Sequence, residues 1–253
     1  MNLSQSQIKL VRALGQKKFR QKYQYFTAEG DKIVRDILTY RTYNIYQIYA
    51  VDQWIENHHT LLNDIDVPVF NISHKQLKQI SFLKTPNDVM VVLRIPQEDE
   101  NQINTSKGLH FYLDDIRDPG NMGTIIRIAV WFGFKSIIAS ESCVDFYNQK
   151  VVQATMGAFL HLPLRRYSAD HLLLDNDLCL VTTSMSGQDI RKNTSLPEDA
   201  IIVIGNEGRG VSEMISEAST IEISIPSIGA HQDKIDSLNA AVSAGIVASY
   251  FAK

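Results

Sequence analysis

The fold of this chain turns on one stretch near its C-terminus, Ser237-Leu238-Asn239-Ala240-Ala241-Val242-Ser243-Ala244-Gly245-Ile246-Val247-Ala248-Ser249-Tyr250-Phe251. No charged residue falls between Asp236 and Lys253, yet the run is too short and too rich in Ser and Gly to span a bilayer. A helix that is apolar or small on every side has no face suited to water. The stretch therefore predicts a helix in a deep core position, at a subunit interface, or both.

Length and composition limit the class of protein. With 253 residues, of which 44% are hydrophobic and 21% charged, the chain suits two modest domains with a packed core. The first residues lack the basic-then-apolar plan of a secretory signal, and no later run is long enough for a membrane span. Cys143 and Cys179 form no CxxC or Cys/His ligand pattern. We expect a cytoplasmic protein with reduced cysteines, no metal centre and no membrane partner.

Charge is distributed unevenly along the chain. The formal net charge of −3 weighs against nucleic acid as a partner, because phosphate binding favours a basic surface. The segment from Met1 to Lys22 nevertheless has no acidic residue and carries Lys9, Arg12, Lys17, Lys18, Arg20 and Lys22. The aromatic residues of this region, which could stack on exposed bases, are Phe19, Tyr23, Tyr25 and Phe26. Two interpretations stay open: an RNA-binding surface, or a solvated amphipathic helix.

A change of composition marks a boundary near residue 100. Residues 1–96 alternate helical pieces such as Ile33–Leu38 with strand-like pieces at Ile45–Val51 and Val89–Ile95. Residues 97–108 are polar and predict a linker. Residues 109–253 alternate strands with helices, which predicts an α/β fold with a mostly parallel sheet covered on both faces. The candidate strands are Leu109–Leu113, Ser136–Ala139, Leu178–Thr182, Ala200–Ile204 and Ile221–Ile225.

The first of three polar clusters follows the strand Leu109–Leu113 and includes Asp118-Pro119-Gly120-Asn121-Met122-Gly123-Thr124-Ile125-Ile126-Arg127. Its Pro-Gly turn and Asn121 predict the start of a helix, with Asn121 as the N-cap. The apolar stripe of this helix would face the sheet, so Arg127, near Thr124 and Trp131, would point at solvent or at a partner chain. Gly120 and Gly123 do not complete a GxGxxG, which disfavours a nucleotide-cofactor oxidoreductase.

The other two clusters also follow predicted strands. Gly205-Asn206-Glu207-Gly208-Arg209-Gly210 comes after Ala200–Ile204, and its glycines allow either a tight turn or close approach of a ligand to the backbone. Ile225-Pro226 leads through a loop to Ser237-Leu238-Asn239 at the start of the uncharged helix. In an α/β sheet, ligands bind beyond the carboxyl ends of the strands. The three clusters together therefore indicate a binding site.

In this order and spacing, the three clusters resemble motifs 1, 2 and 3 of the SpoU family of RNA 2′-O-ribose methyltransferases, within the SPOUT superfamily. The small-residue stretch Gln153–Ala158 is also similar to a helix of that family. Residues 109–253 carry this resemblance, and the first half resembles, at Phe26–Gly30 and Thr85–Val89, the substrate-binding domain often fused ahead of it. The link from Pro226 to Ser237 is a few residues longer than is usual in the family.

The resemblance implies an enzyme that moves a methyl group from S-adenosyl-L-methionine, without a metal, to a ribose 2′-hydroxyl. It implies a mostly parallel sheet flanked by helices, a C-terminal trefoil knot, a preceding smaller α/β RNA-binding domain, and a homodimer. The catalytic residues it implies are Asn121, Arg127, Ser237 and Asn239, with Arg127 stabilising the developing oxyanion. The implied donor-binding residues are Thr183, Ser184, Gly205, Asn206, Glu207, Gly208, Ile225, Pro226 and Leu238.

Three functions remain as hypotheses at this point. The favoured one is methylation of ribosomal RNA, with transfer RNA as another acceptor. The second is an RNA-binding or ribosome-associated protein that keeps the fold without turnover. A non-catalytic relative would have no chemical need for Asn121, Arg127, Glu207, Ser237 and Asn239 together. The third, a nucleotide-cofactor oxidoreductase, lacks its glycine motif.

Overall fold

The computed structural model describes residues 3–97, 107–174, 179–192, 197–229 and 237–252. The chain divides into two compact units, one made of Met1–Gln97 and Asp145–Leu160 and the other of Glu98–Val144 and His161–Lys253. Residues 145–160, which we assigned from the sequence to the second domain, therefore group with the first unit. Most of the predicted linker, residues 98–106, lies outside the described residues, so the domain boundaries stay a prediction.

The described strands and helices follow one another in the order that the sequence alternation suggests. The strands are β1 Tyr25–Glu29, β2 Ile45–Ala50, β3 Val69–Asn71, β4 Val89–Arg94, β5 Leu109–Leu113, β6 Ser136–Ala139, β7 Leu164–Arg166, β8 Leu180–Asp189, β9 Ala200–Ile204 and β10 Ile221–Ser224. The helices are α1 Gln5–Ala13, α2 Lys17–Tyr23, α3 Asp31–Tyr40, α4 Asp52–Asn57, α5 His59–Asn63, α6 His74–Ile80, α7 Pro119–Trp131, α8 Gln149–Thr155, α9 Ala169–Leu172, α10 Glu213–Glu217 and α11 Ala240–Phe251.

The first unit is built on a mixed four-stranded sheet in the order β1-β4-β2-β3. Strand β4 runs antiparallel to β1 and β2, while β3 runs parallel to β2. The fully buried run Val89–Leu93 explains why β4 occupies an interior position. Strands β2 and β4 agree with the sequence prediction, whereas β1 and the three-residue β3 were not predicted.

Local hydrogen bonds start the helices of this unit. Ser4 and Gln7 form a capping box at α1, and Ser73 and Gln76 form another at α6. In each case the serine oxygen accepts from a backbone NH and the glutamine side chain bonds back to the serine NH, so two orphan donors are satisfied. Helix α3 then buries one apolar stripe, which consists of Ile33, Val34, Ile37 and Leu38.

The second unit is built on a six-stranded sheet in the order β10-β8-β9-β5-β6-β7, in which every neighbouring pair is parallel. This confirms the predicted parallel α/β sheet. Strand β7 was not predicted, because a three-residue strand with two arginines carries little apolar signal. Strand β8 begins at Leu180 and runs to Asp189, beyond the predicted end at Thr182, and Leu178 lies outside the described residues.

Helices cover both faces of this sheet. Tyr112, Ile138 and Val203 from the central strands pack on one face with Leu172 of α9 and Ile215 of α10. Because side chains alternate along a strand, neighbours such as Phe111 point to the opposite face. Helix α11 packs there against β9 and α7, and α7 packs against β6. No helix in the described part of the chain is long and apolar enough to cross a membrane.

Within the described residues, the uncharged helix α11 has one buried side and one partly exposed side. Ala241, Ala244, Val247, Ala248 and Phe251 are buried. A β-carbon on Gly245 would lie 3.5 Å from the Ile128 Cδ1 atom, so a small residue here lets α7 and α11 approach closely. Val242 and Tyr250 remain 51% and 40% exposed. The core position is confirmed, and the exposed side agrees with an interface. The trefoil knot stays a prediction, since residues 230–236 lie outside the described residues.

Candidate active site

The three polar clusters leave strands β5, β9 and β10 at the carboxyl end of the parallel sheet. Two hydrogen bonds continue the pairing of β5 and β9 into these loops. The Asp114 NH donates to the Ile204 carbonyl at 2.9 Å, and the Ser212 NH donates to Asp114 Oδ2 at 2.8 Å. The first two clusters are thereby tied together at the point where ligands bind in such sheets.

Asn206 shapes the loop after β9. Its NH and carbonyl pair with Gly210 at 3.0 and 2.8 Å, and its Oδ1 accepts from the Gly208 and Arg209 NH groups at 2.9 and 3.2 Å. Its Nδ2 donates to the Asp115 carbonyl at 3.0 Å. The predicted donor-binding residue Asn206 therefore acts in this structure as the residue that closes the loop and joins it to the first cluster.

Glycine is required in this loop for two different reasons. A β-carbon on Gly205 would overlap the backbone of Gly210 and Val211, so the turn closes only without a side chain. Gly210 has φ of +72°, a left-handed conformation that L side chains rarely adopt, and a β-carbon there would meet nothing within 4 Å. The loop is thus tight at Gly205 and open at Gly210, which is the shape of a backbone cradle for a ligand.

Asp118, and not Asn121, is the N-cap of α7, which corrects the sequence prediction. The Asp118 side chain accepts from the Asn121 NH at 2.8 Å, and Pro119 occupies the first turn, where its missing NH costs nothing. Asn121 lies three residues into the helix. Its side chain is consequently available for contacts with the other clusters.

Side-chain hydrogen bonds join the three clusters. Asn239 Nδ2 donates to Asn121 Oδ1 at 2.9 Å, and Asn121 Nδ2 donates to Glu207 Oε1 at 2.5 Å. Ser237 Oγ donates to the Glu207 carbonyl at 2.8 Å. Asn239 also caps α11, since its Oδ1 accepts from the Ala241 and Val242 NH groups. Four residues predicted from separate motifs, Asn121, Glu207, Ser237 and Asn239, therefore form one connected network.

A cleft of about 440 Å³ opens beside this network, within the size range of small-molecule sites. Predicted donor-binding residues that line it are Thr183, Ser184, Gly205, Asn206, Glu207, Gly208, Ile225 and Leu238. Pro226 is not among the lining residues; it is half-buried beside Ile225. Met185 and Arg209 line the cleft although we did not predict them, and the only signal for them was their place next to predicted residues.

Arg127 lies outside this cleft, on the exposed side of α7. Thr124 is exposed on the same side, and Trp131 is 84% exposed. The sequence prediction that Arg127 points away from the sheet is confirmed. An indole that stays uncovered beside an arginine on the same helix face is typical of a surface that meets a partner.

Metal and thiol chemistry have no support among the described residues. Among the described residues, no group of three His, Cys, Asp or Glu side chains could hold a metal ion. Cys143 is buried and Cys179 half-buried, and both are free thiols. Burial raises the pKa of both thiols above the ordinary value, which disfavours the reactive thiolate.

The predicted RNA-binding cations in the first unit do not all share one environment. Lys9, Arg12, Lys17, Lys18 and Lys22 are exposed on α1 and α2. Arg20 is only 2% exposed, which contradicts its assignment to RNA binding. Its Nε and Nη2 atoms contact Asp145 Oδ2 at 2.7 and 2.6 Å, and Nη1 donates to the Leu14 carbonyl at 2.8 Å. Arg20 is an internal ion-pair residue, because its guanidinium binds Asp145 and the Leu14 carbonyl within the same unit.

One predicted stacking residue is also internal. Phe26 is fully buried and contacts Tyr43, Tyr147 and Phe159, with ring centroids 5.5, 4.6 and 6.1 Å away. Tyr23 and Tyr25 keep exposed surface. The aromatic content of the N-terminal region therefore serves partly as core packing of the first unit.

Two family models match the chain. Residues 108–249 match the SpoU rRNA Methylase family, and residues 5–91 match the MRM3-like substrate binding domain. The first match covers the strand-end clusters and most of α11, and the second covers β1, β2, β3 and the first half of β4. The two matches follow the order of the two units along most of the chain.

Individual relatives extend over nearly the whole chain. The 23S rRNA (guanosine(2553)-2′-O)-methyltransferase RlmP of Bacillus subtilis is 25% identical over 95% of this chain and 93% of its own length. A TrmH-family structure from Porphyromonas gingivalis is 30% identical, with a TM-score of 0.86 and coverage of 99% and 98% of the two chains. An AdoMet-bound rRNA methyltransferase structure from Sinorhizobium meliloti is 26% identical, with a TM-score of 0.86 and coverage of 99% and 95%. The chain, whose three strand-end clusters are joined beside one cleft, therefore belongs to the SpoU rRNA Methylase family.

Proposed function

We propose that this chain, an RNA 2′-O-ribose methyltransferase of the SpoU family, takes its methyl group from S-adenosyl-L-methionine and delivers it to ribosomal RNA. The observation that carries the proposal is the network in which Asn239, Asn121 and Glu207 join three strand-end loops beside one cleft. The AdoMet-bound relative supports the donor, and the 23S rRNA methyltransferase of Bacillus subtilis supports the acceptor class.

The cleft suits a ligand that is held largely through backbone atoms. The loop at Gly208 and Gly210 presents peptide groups without side chains, and Ile225 and Leu238 offer apolar contacts on other sides of the cleft. Thr183 Oγ1 donates to the Val203 carbonyl at 3.2 Å, and Ser184 Oγ accepts from the Gly187 NH at 2.9 Å. These bonds hold the β8 side of the cleft in shape. When bound there, S-adenosylmethionine supplies an electrophilic methyl group on its sulfonium.

Arg127 supplies the charge that the reaction needs at the acceptor. A ribose hydroxyl is a weak nucleophile, so methyl transfer requires that negative charge developing on the 2′-oxygen be stabilised. Arg127 is exposed, and its guanidinium can pair with the phosphate and oxyanion of an RNA strand. Asn121, Ser237 and Asn239 would orient the ribose through hydrogen bonds, which keeps the reacting atoms aligned.

A second copy of the chain would complete the site. Arg127 and Trp131 face away from the sheet, and Val242 and Tyr250 leave one side of α11 exposed. In a two-fold dimer the same patch would meet itself and cover the apolar surface. This assembly would bring one subunit's Arg127 to the other subunit's cleft.

Labelled methyl transfer from S-adenosylmethionine to purified RNA tests the function. Ribosomal RNA lacking its modifications, transfer RNA and the wild-type protein are incubated in EDTA, and nucleosides are then analysed for 2′-O-methyl ribose. We expect label in ribosomal RNA, with chelation having no effect, because the donor is held by backbone and apolar groups. Label only in transfer RNA would show that transfer RNA, and not ribosomal RNA, is the acceptor. Donor and RNA binding without any transfer would favour a non-catalytic RNA-binding protein.

A comparison of a deletion strain with wild type would identify the nucleotide that is modified. Mapping 2′-O-methyl sites in ribosomal RNA from a deletion strain and from wild type would identify the nucleotide, as the site that is lost on deletion. We propose the cytoplasm as the compartment, since ribosomal RNA is the acceptor and Cys143 and Cys179 are free thiols. An unchanged pattern in the deletion strain would contradict the assignment to ribosomal RNA.

A further inference from the structure

An aromatic cluster lies at one end of the sheet of the first unit. Tyr25 and Tyr46 stack with ring centroids 4.3 Å apart and an angle of 20° between the rings. The Arg94 guanidinium carbon lies 5.4 Å from the Tyr25 centroid and 5.5 Å from the Tyr46 centroid. Both rings are only half-buried and Arg94 is exposed, so the cluster is open to solvent. We call these three residues the tyrosine platform.

Strand register brings the platform together. Tyr25 begins β1 and pairs directly with Arg94 at the end of the antiparallel β4. The pairing of β2 with β4 is irregular between Ile45 and Gln47, and this irregularity falls at Tyr46. Beyond the strands, the Arg94 NH donates to the Asn44 carbonyl and the Ile95 NH donates to the Gln24 carbonyl, both at 2.9 Å. Strand pairing and backbone hydrogen bonds therefore join the three chain segments that carry the platform.

A cleft of about 380 Å³ includes Arg94 of the platform. Its polar lining comes from Gln24, Thr42, Asn44 and Gln97, and Gln24 Nε2 is bonded to the Gln21 carbonyl at 2.7 Å. The described residues that line this cleft include no carboxylate. Amide side chains such as those of Asn44 and Gln97 can donate to and accept from the edges of nucleobases.

Positive charge precedes the platform in the chain. Helix α2 ends at Tyr23, packs against β1, and carries Lys17, Lys18 and Lys22 on exposed positions. Lys18 lies over the Phe19 ring at 4.8 Å, and Lys22 lies over the Tyr23 ring at 5.6 Å. A surface that combines cations for the phosphates with aromatic rings and arginine for the bases is typical of single-stranded nucleic-acid binding.

We propose that Tyr25, Tyr46 and Arg94 form a stacking site for an unpaired nucleobase of the RNA substrate, with the adjoining cleft contacting the edge of that base. The proposal rests on the proposed function for the identity of the substrate. The competing interpretation is a purely structural tyrosine pair that stiffens the end of the sheet. The two differ in whether removal of a ring weakens RNA binding without loss of stability.

The test measures binding of a short single-stranded oligouridylate carrying 5-iodouridine, by fluorescence anisotropy in the absence of the methyl donor. We expect Tyr46→Ala to weaken binding about tenfold, which corresponds to about 1.4 kcal/mol for the loss of one stacked base. Arg94→Ala should weaken binding by a similar factor, because it removes the guanidinium beside both rings. Tyr46→Phe should bind like wild type, because it keeps the ring. Tyr40→Ala is the matched control, since Tyr40 is a 55% exposed tyrosine of the same unit that lies outside the platform.

Salt dependence and cross-linking separate stacking from charge. Lys18→Ala should reduce the slope of log affinity against log salt by about 0.7, whereas Tyr46→Ala should leave the slope unchanged. Illumination should cross-link the oligonucleotide to a peptide containing Tyr25 or Tyr46. Wild-type affinity in both Tyr46→Ala and Arg94→Ala, or cross-links only elsewhere, would overturn the proposal. This binding measurement contains no methyl donor, so its result does not depend on methyl transfer. A separate transfer assay that found no methylation would refute the proposed function and leave the binding result unchanged.

If Tyr46→Ala is unstable to urea, Arg94→Ala together with cross-linking to Tyr25 or Tyr46 in wild type decides the matter, since this variant removes an exposed side chain and leaves both rings. Methyl transfer to ribosomal RNA then gives a second readout. A platform residue that only binds RNA should raise KM for the RNA and leave kcat unchanged. A fall in kcat at unchanged KM would contradict a binding role.

Discussion

The basic N-terminal helices of the first unit and the strand-end loops of the second differ in how well the sequence predicted the role of each residue. In the loops, the residues singled out by their spacing, Asn121, Glu207, Ser237 and Asn239, are joined by hydrogen bonds. In α2, alternate cations look alike in sequence, yet Lys18 and Lys22 are exposed while Arg20 is buried against Asp145. Motif spacing therefore identified the loops better than charge identified an RNA surface.

The difference has a physical origin. The sheet positions its strand-end loops next to one another, so the polar side chains of one loop form hydrogen bonds with the neighbouring loop. A cation on an amphipathic helix can face either water or the core, because the aliphatic stem of arginine is compatible with both. The outcome for Arg20 depends on Asp145, which is 125 residues away.

Arg127→Ala should produce the largest effect and sharpen the comparison from the loop side. Turnover should fall by about 10²- to 10³-fold, because a charge that stabilises the developing oxyanion is lost. Donor binding should persist, since Arg127 lines no part of the cleft, and RNA binding should largely persist, because the exposed lysines of α1 and α2 would still contact the RNA. Labelled methyl transfer with parallel filter binding measures both. Lys135→Ala, which removes another exposed cation of the same unit, should keep wild-type kcat; near-normal kcat in Arg127→Ala would refute the catalytic assignment.

Val242→Arg should come next and tests whether α11 is an interface. Val242 is 51% exposed in the single chain, so arginine there is tolerated by the fold but would bury an unpaired charge in a dimer, at a cost of several kcal/mol. Light scattering should show a dimer for wild type and a 28.6 kDa monomer for the variant. Ala244→Arg is the contrasting variant, since Ala244 is fully buried and its replacement should unfold the protein. A wild-type monomer would contradict the proposed assembly.

Arg20→Ala tests the helix side of the comparison. Removing the guanidinium leaves Asp145 without its ion-pair partner, and the free energy of unfolding should drop by about 3 kcal/mol. Urea unfolding measures this loss, and Lys22→Ala is the control, because an exposed lysine of the same helix should leave stability unchanged. If Arg20→Ala instead kept wild-type stability and weakened RNA binding, the original RNA-binding interpretation would be restored.

Glu29→Gln should have the smallest effect and concerns pH. Burial raises the pKa of Glu29 above its ordinary value, although hydrogen bonds from Ser81 and from the Phe82 NH oppose the shift. A raised folded-state pKa means that this group's stabilising contribution is present below the unfolded pKa and is lost as pH rises through the folded pKa. Wild type should therefore lose stability relative to Glu29→Gln across that interval.

Urea unfolding at a series of pH values, from the ordinary glutamate pKa to neutrality, measures the difference. Glu56→Gln is the control, because Glu56 is exposed and its replacement should leave the pH profile unchanged. If wild type instead gained stability relative to Glu29→Gln as pH rises, the sign of the shift would be contradicted.

The strands of the second unit show how far sequence patterns reach. Leu109–Leu113, Ser136–Ala139 and Ala200–Ile204 were predicted with their observed bounds, because strands buried on both faces are continuous apolar runs. Strand β7, Leu164–Arg166, has no apolar run from which it could be predicted, and it is recognised as a strand by its pairing with β6. The cap of α7 was assigned to Asn121 although Asp118 performs it; both are good capping residues, and only the backbone geometry distinguishes them.

By itself, the sequence determined the parallel α/β sheet, the three polar clusters that follow its strands and the outward direction of Arg127, because apolar period and motif spacing are local properties. Only the tertiary structure decided that Asn239, Asn121 and Glu207 bond in series, that Arg20 is internal and that Tyr25, Tyr46 and Arg94 meet at one end of a sheet. Each of these contacts joins residues far apart in the chain. Strand register and packing bring them together, and neither can be read from the residues on one side of the contact.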